Sequence, residues 1–348
     1  MAFDPAFPWQ TLMTLPRQPL IQSATPLLPL RKLSQTLGVP DLWCKRDDLI
    51  SFGLGGNKIR GLELLAADAL ARRATVLVTG AGVQSNHVRA TAATAAHAGL
   101  GYIAVFWGKP PEYNDGNFRV TRMLGAESVF TGDNDRASVD AGIKTQCEIL
   151  YNQGHRPYAI PRGGACPLGA LGHALAAREV YEQCRAQDIA PGTIVLATGS
   201  GGTHAGWLLG TRALGNPWQV ESFTVSRETD AVSAEIARLA SGAASLLGLD
   251  WHFSDKDVVV HGGFIGEGYG IPSKEAAAAI RLVARTEGLL LDPTYTGKAM
   301  AGLLDRLSRA PDFQHPIIFI HTGGEPAFFA GNGAWLESAA LKPFPKPL

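Results

Sequence analysis

Short, nearly continuous apolar runs recur along the chain and predict buried β-strands. Runs such as VLVT at 76–79 and IIFIH at 317–321 are apolar at successive positions. This pattern is typical of strands that are covered on both faces in a parallel sheet. Strands are predicted at Leu42–Lys45, Thr75–Thr79, Tyr102–Phe106, Ser128–Phe130, Tyr158–Ile160, Thr193–Ala197, Val220–Val225, Val258–His261 and Pro316–His321.

The segments between these runs have helical periodicity. At 273–287, Ser273 is a candidate N-cap, Glu275 lies in the first turn and Gly288 is a candidate terminator. Alternating strands and helices predict an α/β fold with right-handed crossovers. Further helices are predicted at 59–72, 86–98, 137–152, 168–187, 204–214 and 298–309.

Composition restricts the classes of function. The 348 residues correspond to roughly two domains or one large domain. Thirty-one basic residues balance 31 acidic ones, which argues against nucleic-acid or membrane-surface partners. No apolar run approaches the roughly 18 residues of a membrane span, and the amino terminus lacks a secretory pattern. Four cysteines without ligand spacing predict a cytoplasmic protein without a metal site.

Glycine is abundant, with 40 residues, and it clusters in loops after predicted strands. The loop Gly199–Thr203 stands directly between a strand and a helix, where backbone N–H groups and the helix dipole favour a phosphate. A tight turn without a ligand explains the same loop equally well. The dinucleotide fingerprint fails at His204, and no Walker loop is present.

Lys58 enters a helix directly behind a second glycine-rich loop. The helix N-terminus disfavours positive charge and lowers the pKa of the amine, as a Schiff-base lysine requires. A solvated surface lysine is the alternative, and it describes most lysines.

A third glycine-rich loop precedes Ser85, Asn86 and His87 at another helix start, where free N–H groups can bind a carboxylate. Simple capping of that helix is the alternative. Tyr269 and Tyr295 lie beside glycine or proline at element boundaries, and either is also explained as a core or rim residue.

Seven motifs occur in one order along the chain. They are KRDD at 45–48, GGNKIRGLELL at 55–65, GVQSNHVRATAA at 82–93, GSGGT at 199–203, EGYGIP at 267–272, DPTYTGKAM at 292–300 and HTGG at 321–324.

Together these motifs resemble the D-cysteine desulfhydrase/ACC deaminase family of pyridoxal-phosphate enzymes. The resemblance runs from about Thr25 to about Phe329. It implies fold type II, which is tryptophan-synthase-β-like, with two open, twisted, mostly parallel sheets flanked by helices. It also implies a large cofactor-binding domain (1–54 and 164–348), a small α/β domain (55–163) and a homodimer.

The resemblance assigns roles residue by residue. Lys58 is expected to hold the pyridoxal phosphate and to move the Cα proton, with Asn57 beside the cofactor and Ser85 assisting. Three groups complete the expected site. The phosphate cup consists of Gly199, Ser200, Gly201, Gly202 and Thr203. The substrate carboxylate is expected at the loop Ser85, Asn86 and His87, and Asn86 is also expected to contact the cofactor. The pair Tyr269 and Tyr295 is expected to face the substrate.

The chain departs from the ACC deaminase pattern after the second tyrosine, where Thr296 replaces a glutamate. A carboxylate facing the pyridine nitrogen keeps that nitrogen protonated and makes the ring a strong electron sink. A hydroxyl from Thr296 or Thr322 holds that proton less well, which favours β-elimination over opening of a cyclopropane ring.

We therefore expect a lyase that converts D-cysteine, a small amino-acid substrate, to pyruvate, hydrogen sulfide and ammonia. An L-cysteate sulfo-lyase, with Arg227 or His87 as the cationic partner of the sulfonate, or a lyase for another β-substituted alanine is the first alternative. ACC deaminase is disfavoured by Thr296. A non-catalytic ligand sensor and an NAD-dependent oxidoreductase remain as alternatives from other classes, and the broken fingerprints disfavour the oxidoreductase.

Overall fold

The computed structural model describes residues 7–190, 192–309, 314–331 and 333–337, so the ends of the expected large domain lie outside the described residues. All nine predicted strands are present, and each bound lies within two residues of its prediction. The described strands are β1 Leu27–Pro29, β2 Leu42–Arg46, β3 Val76–Ala81, β4 Gly101–Phe106, β5 Glu127–Phe130, β6 Pro157–Ala159, β7 Thr193–Thr198, β8 Gln219–Thr224, β9 Val259–His261 and β10 Ile317–His321.

The predicted helices are also present, and others join them. Ser273 caps its helix by accepting a hydrogen bond from the backbone N–H of Ala276, and Gly288 ends it at a φ of 69°. In the described ranges, no helix combines the length and apolar character that crossing a bilayer requires. The helices are α1 Phe7–Thr14, α2 Arg31–Leu37, α3 Lys58–Ala71, α4 Asn86–Ala98, α5 Gly116–Met123, α6 Ser138–Asn152, α7 Pro167–Ala186, α8 Gly202–Ala213, α9 Thr229–Leu246, α10 Lys274–Glu287, α11 Thr296–Arg309, α12 Glu325–Phe328 and α13 Ala334–Glu337.

The described strands form two separate sheets. The larger has the order β1-β2-β10-β7-β8-β9 and is parallel except for β1, which pairs antiparallel with β2. The smaller has the order β5-β4-β3-β6 and is entirely parallel. Two mostly parallel sheets are therefore confirmed. All four strands of the smaller sheet fall within 55–163, and the division into two domains stays a prediction.

The central strands of the larger sheet are buried on both faces, as their apolar runs predict. Val195 and Phe319 belong to one hydrophobic core, whereas Ile194 and Ile318 face a second core across the sheet. Because a strand alternates its side chains between faces, only a continuous apolar run satisfies both cores.

The carboxyl ends of three parallel strands carry the glycine motifs. Residues 82–87 follow β3, Gly199–Thr203 follow β7 and 322–324 follow β10. In open α/β sheets, ligands bind at this edge.

A buried network of two basic and two acidic side chains joins β2, α3 and α7. Arg60 donates to Asp47 at 2.6 and 2.8 Å and to Glu179 at 3.1 and 3.2 Å, and Lys45 pairs with Glu179. Burial favours the neutral acid, but the positive charge and hydrogen bonds of Arg60 keep the pKa of Asp47 below its ordinary value. The network therefore stays ionised in the interior.

Replacing Arg60 by methionine should lower the free energy of unfolding by about 3–5 kcal/mol, because it leaves buried carboxylates without compensation. Urea unfolding followed by circular dichroism measures the loss. The control is Lys144→Gln, which removes an exposed lysine lying 4.0 Å from Glu148 and should leave the midpoint nearly unchanged. Equal losses in both variants would contradict the role of the buried network.

Candidate active site

One cleft at the carboxyl ends of the strands collects most of the predicted site residues. It is a cavity of about 110 Å³. Gly202 and Thr296 are not among the lining residues. The predicted residues that line the cleft are Asn57, Lys58, Ser85, Asn86, His87, Gly199, Ser200, Gly201, Thr203, Tyr269, Tyr295 and Thr322.

Lys58 is the first residue of α3 and projects its amine into this cleft. Its Nζ donates a hydrogen bond to the carbonyl oxygen of Gly163 at 2.9 Å. Burial without a neighbouring carboxylate lowers the pKa of the amine to about 8. A larger fraction of this amine is thus neutral near neutral pH, and available as a base or nucleophile, than of an ordinary lysine.

Asn57 connects Lys58 to two other motifs. Its backbone N–H donates to the carbonyl oxygen of Thr322 at 3.0 Å, and its Nδ2 donates to the hydroxyl of Thr203 at 3.0 Å. The close approach of the two backbones requires glycine at position 323, because a Cβ on Gly323 would lie 2.6 Å from the Cα of Gly56. Three segments distant in sequence are therefore held together around one residue.

The loop Gly199–Thr203 has the geometry of an anion cradle. Gly201 has a φ of 92° and is the N-cap of α8, so the free N–H groups of the first helical turn lie at this loop. A Cβ on Gly163 would lie 2.7 Å from the hydroxyl of Ser200 and would narrow the space between the loop and Lys58. Gly202 faces the other way, since its Cβ would contact Ala165 at 3.4 Å. A phosphate group fits this cradle, with Gly202 contributing through its backbone only.

Ser85 both caps α4 and lines the cleft. Its hydroxyl oxygen accepts a hydrogen bond from the N–H of Val88 at 3.3 Å. The side-chain oxygen of Asn86 accepts from Asn117 at 2.9 Å. The capping interpretation and the ligand-binding interpretation therefore coexist at the same helix start.

His87 is buried and neutral. The hydroxyl of Thr79 donates a hydrogen bond to the backbone carbonyl oxygen of Ile160. The hydroxyl oxygen is therefore the acceptor of a hydrogen bond from Nε2–H of His87, 3.2 Å away. Burial first, and then the charge of Lys58, lower the pKa of His87 to about 3. The expectation that His87 is a cationic partner for a sulfonate is therefore wrong.

Tyr269 and Tyr295 form a pair in the cleft, and their hydroxyls are hydrogen-bonded to each other. Burial raises the pKa of both hydroxyls, so both stay protonated at neutral pH. Trp107 packs edge-on against Tyr269 with ring centroids 5.9 Å apart. Asp292 holds the backbone of Tyr295, because its carboxylate accepts a hydrogen bond from the Tyr295 N–H at 2.9 Å.

Thr296 does not face the cleft, and the expectation that it contacts the cofactor needs correction. It is fully buried at the start of α11, where its hydroxyl donates to the Asp292 carboxylate at 2.7 Å. The same hydroxyl accepts the backbone N–H of Asp292 at 2.8 Å, so both of its hydrogen-bonding functions are used. Thr322 is the threonine that lines the cleft.

Several side chains that line the cleft carry no local sequence signal. Arg136, Arg162 and Ser226 line the cleft outside the glycine motifs, as does Trp107 directly after β4. Only tertiary structure brings these isolated residues to the site.

Arg89 is fully buried on α4 and donates to the carbonyl oxygens of Gly53 and Gly55 in the loop before Lys58. The one sequence signal for a role of Arg89 is its position inside the motif at 82–93. The arginine links the carboxylate loop to the lysine loop.

Amine-reactive labelling of the cofactor-free protein should be half-maximal at Lys58 near pH 8. An ordinary lysine has a pKa of about 10.4, because its charged form is fully hydrated. Mass spectrometry of labelled peptides across a pH series measures the difference, with the peptide of the exposed Lys144 as internal control. Coincident profiles for the two lysines would contradict the desolvated environment of Lys58.

Thr296→Val and Thr322→Val should separate stability from cofactor binding. The first should lower the free energy of unfolding by about 1–3 kcal/mol, because it leaves the buried backbone N–H of Asp292 without its acceptor and removes one donor from the Asp292 carboxylate. The second should leave the unfolding midpoint nearly unchanged and weaken the binding of pyridoxal phosphate. Thermal unfolding and a cofactor titration of both variants check this contrast, and the reverse assignment would contradict it.

The comparisons with known proteins agree on one family. The family model described as "Pyridoxal-phosphate dependent enzyme" matches residues 19–323. A D-cysteine desulfhydrase of Yersinia pestis (strain Pestoides F) is 41% identical over 328 residues, covering 92% of this chain and 97% of the relative. The D-cysteine desulfhydrase of Klebsiella pneumoniae is 40% identical, with 92% and 98% covered.

Solved structures point to the same family. A crystal structure of an ACC deaminase homologue superimposes with a TM-score of 0.88 at 36% identity and covers 96% of this chain and 99% of its own. The fold type II architecture predicted from the resemblance is therefore confirmed. The chain belongs to the family of pyridoxal-phosphate-dependent enzymes.

Proposed function

We propose that the chain is a carbon–sulfur lyase that eliminates sulfide from D-cysteine and releases pyruvate and ammonia. The carrying observation is that one cleft holds a lysine of lowered pKa, two helix N-termini and a hydrogen-bonded tyrosine pair. The names of the curated relatives, which share about two fifths of the sequence, support D-cysteine as the substrate.

The cleft residues fit pyridoxal phosphate. When bound, this cofactor supplies an electron sink that acidifies the Cα–H of an attached amino acid. Lys58 would hold it covalently, and the loop Gly199–Thr203 would take its phosphate at the N-terminus of α8. Asn86 and Thr322 line the cleft where their polar groups can contact its ring.

The substrate carboxylate binds at Ser85–His87, where α4 begins. Backbone N–H groups and the positive end of the helix dipole provide the attraction, and the neutral imidazole of His87 adds no charge. Holding the carboxylate at one end and the amino group near Lys58 determines which face of Cα meets the base.

Lys58 serves as that base. With a pKa near 8, a useful fraction of the amine is neutral at the pH of the cytoplasm and accepts the Cα proton. The tyrosine pair serves the leaving group. Two hydroxyls carry two protons, and their mutual hydrogen bond uses one, so the other remains for a departing thiolate.

The proposal includes a homodimer in the cytoplasm. Exposed apolar side chains, Leu49, Leu54 and Phe329, surround one surface depression and support self-association. Four cysteines without disulfide partners support a reducing compartment.

Assayed side by side, D-cysteine should give sulfide and pyruvate in equal amounts, and L-cysteine should give much less, because one face of Cα meets Lys58. Lys58→Ala should remove the visible absorbance of the bound cofactor and lower turnover by roughly 10²–10⁴-fold or more. Formation of 2-oxobutyrate from ACC without sulfide from cysteine would instead identify an ACC deaminase.

A further inference from the structure

One buried lysine has no part in the proposed reaction. Lys298, the third residue of α11, is fully buried and is not among the residues that line the cleft. Its Nζ donates hydrogen bonds to two backbone carbonyl oxygens, that of Ile265 at 2.6 Å and that of Gly268 at 2.9 Å. Within the described ranges, no carboxylate forms an ion pair with this amine. Because a buried charge is unfavourable unless it is well bonded, the two carbonyls have a structural purpose for the lysine to serve.

Lys298 carries its charge at neutral pH. Burial lowers the pKa of its amine to about 8, and the negative charge of Asp292 acts in the opposite direction. Most of the amine is therefore protonated at pH 7. Hydrogen bonds from a charged donor are about twice as strong as those from a neutral one, so the two carbonyls are held firmly.

Both carbonyls belong to the loop that carries Tyr269. This tyrosine loop, residues 263–272, lies between β9 and α10 and contains neither helix nor strand. Among the described residues, its one backbone–backbone hydrogen bond runs from the N–H of Ile271 to the carbonyl oxygen of Gly268 at 3.3 Å. The loop therefore depends on a group from outside to fix its backbone, and the buried ammonium supplies it.

One short segment serves both members of the tyrosine pair. Asp292 accepts the backbone N–H of Tyr295 at 2.9 Å, whereas Lys298, six positions further on, holds the loop of Tyr269. The two tyrosines are 26 positions apart in sequence, and their hydroxyls are hydrogen-bonded to each other. The segment from Asp292 to Lys298 thus sets the position of one tyrosine backbone relative to the other.

Ring contacts alone do not provide this precision. The ring of Tyr269 packs against Trp107 with centroids 5.9 Å apart, and the guanidinium carbon of Arg136 is 5.3 Å from its centre. Aromatic pairs occur with centroids about 4.5–7 Å apart, whereas an O–H···O hydrogen bond spans only about 2.5–3.0 Å. A displacement that ring packing tolerates would therefore separate the two hydroxyls.

We propose that Lys298 is a positioning residue for the tyrosine pair, because its ammonium fastens the tyrosine loop where the hydroxyl of Tyr269 meets that of Tyr295. The fastening follows from the contacts of the loop. Its effect on turnover rests on the proposed function, in which the pair gives a proton to the departing thiolate. Since Lys298 lies outside the lining of the cleft, it acts through Tyr269 and not on the substrate.

Proteolysis tests the fastening without reference to activity. Glu267 is exposed within the tyrosine loop, so a glutamyl endopeptidase cleaves after it when the loop leaves its position. In the holoenzyme, Lys298→Met should be cleaved there at least about tenfold faster than the wild type, because two charge-assisted hydrogen bonds are lost. Mass spectrometry identifies the fragments, and urea unfolding of each variant measures global stability separately.

The matched control is Lys274→Met, which makes the same change at the exposed first residue of α10, just beyond the tyrosine loop. It should be cleaved at the rate of the wild type. Lys298→Gln retains an uncharged donor and should be cleaved at an intermediate rate. It carries the same measurements if Lys298→Met does not fold.

Turnover separates an effect on the tyrosine pair from a general one. With D-cysteine, Lys298→Met should lower kcat by about 10- to 100-fold, part of what a well-placed proton donor contributes, and should leave KM within about threefold. With β-chloroalanine, kcat should change little, because chloride departs without a proton. In a Tyr269→Phe background, Lys298→Met should cause little further loss, since the hydroxyl through which it acts is already absent.

Two results would overturn the inference. The first is an unchanged rate of cleavage after Glu267 in a folded Lys298 variant. The second is a loss of kcat that is equal for both substrates or that multiplies with the loss in Tyr269→Phe, since either would show a general effect on stability. The proposed function fails on a different observation, a wild type that releases no sulfide from D-cysteine, and faster cleavage in Lys298→Met would still support the fastening of the loop.

Discussion

The buried pair between Arg60 and Asp47 fixes the start of α3, and the position of Lys58 depends on it. Arg60 lies two residues beyond the lysine, and the backbone carbonyl of Asp47 accepts the N–H of Gly56 at 3.0 Å, just before it. The loop and the helix that flank Lys58 are therefore fastened to the same aspartate. A buried ion pair is weak support for overall stability, but it tolerates few alternative geometries. This geometric restriction matters here because it fixes the position of the Lys58 amine.

The site obtains its electrostatic character mainly by removing charge. Burial shifts Lys58 toward its neutral form, keeps His87 neutral and keeps Tyr269 protonated. Attraction for anions then comes from helix N-termini, whose partial charges need no counter-ion and do not titrate. This arrangement explains how a cleft attracts a phosphate and a carboxylate without assigning a fixed cation to each.

The sequence predicted strands and glycine loops well because both are local signals. A strand buried on two faces must be apolar throughout, and a loop that contacts another backbone must be glycine, as at Gly56. Helix α9 was not predicted although its buried apolar residues recur at helical spacing, and β1 is too short to show alternation. Thr296 was misplaced because adjacency to Tyr295 does not determine side-chain direction at a helix start. Arg136 was missed because only the chain path between β5 and α6 brings it to the cleft.

The guanidinium carbon of Arg136 lies 5.3 Å from the centre of the Tyr269 ring, and this contact bears on the proposed transfer of a proton from the tyrosine pair. Burial raises the pKa of both hydroxyls and makes them poor acids, whereas the positive charge of Arg136 acts to lower the pKa of each. A general acid works best when its pKa is moderate, and a developing negative charge on the leaving group is attracted by the same guanidinium. In the proposed elimination, the cation on the ring therefore serves two purposes. It makes the tyrosine proton easier to donate and stabilises the leaving group that receives it.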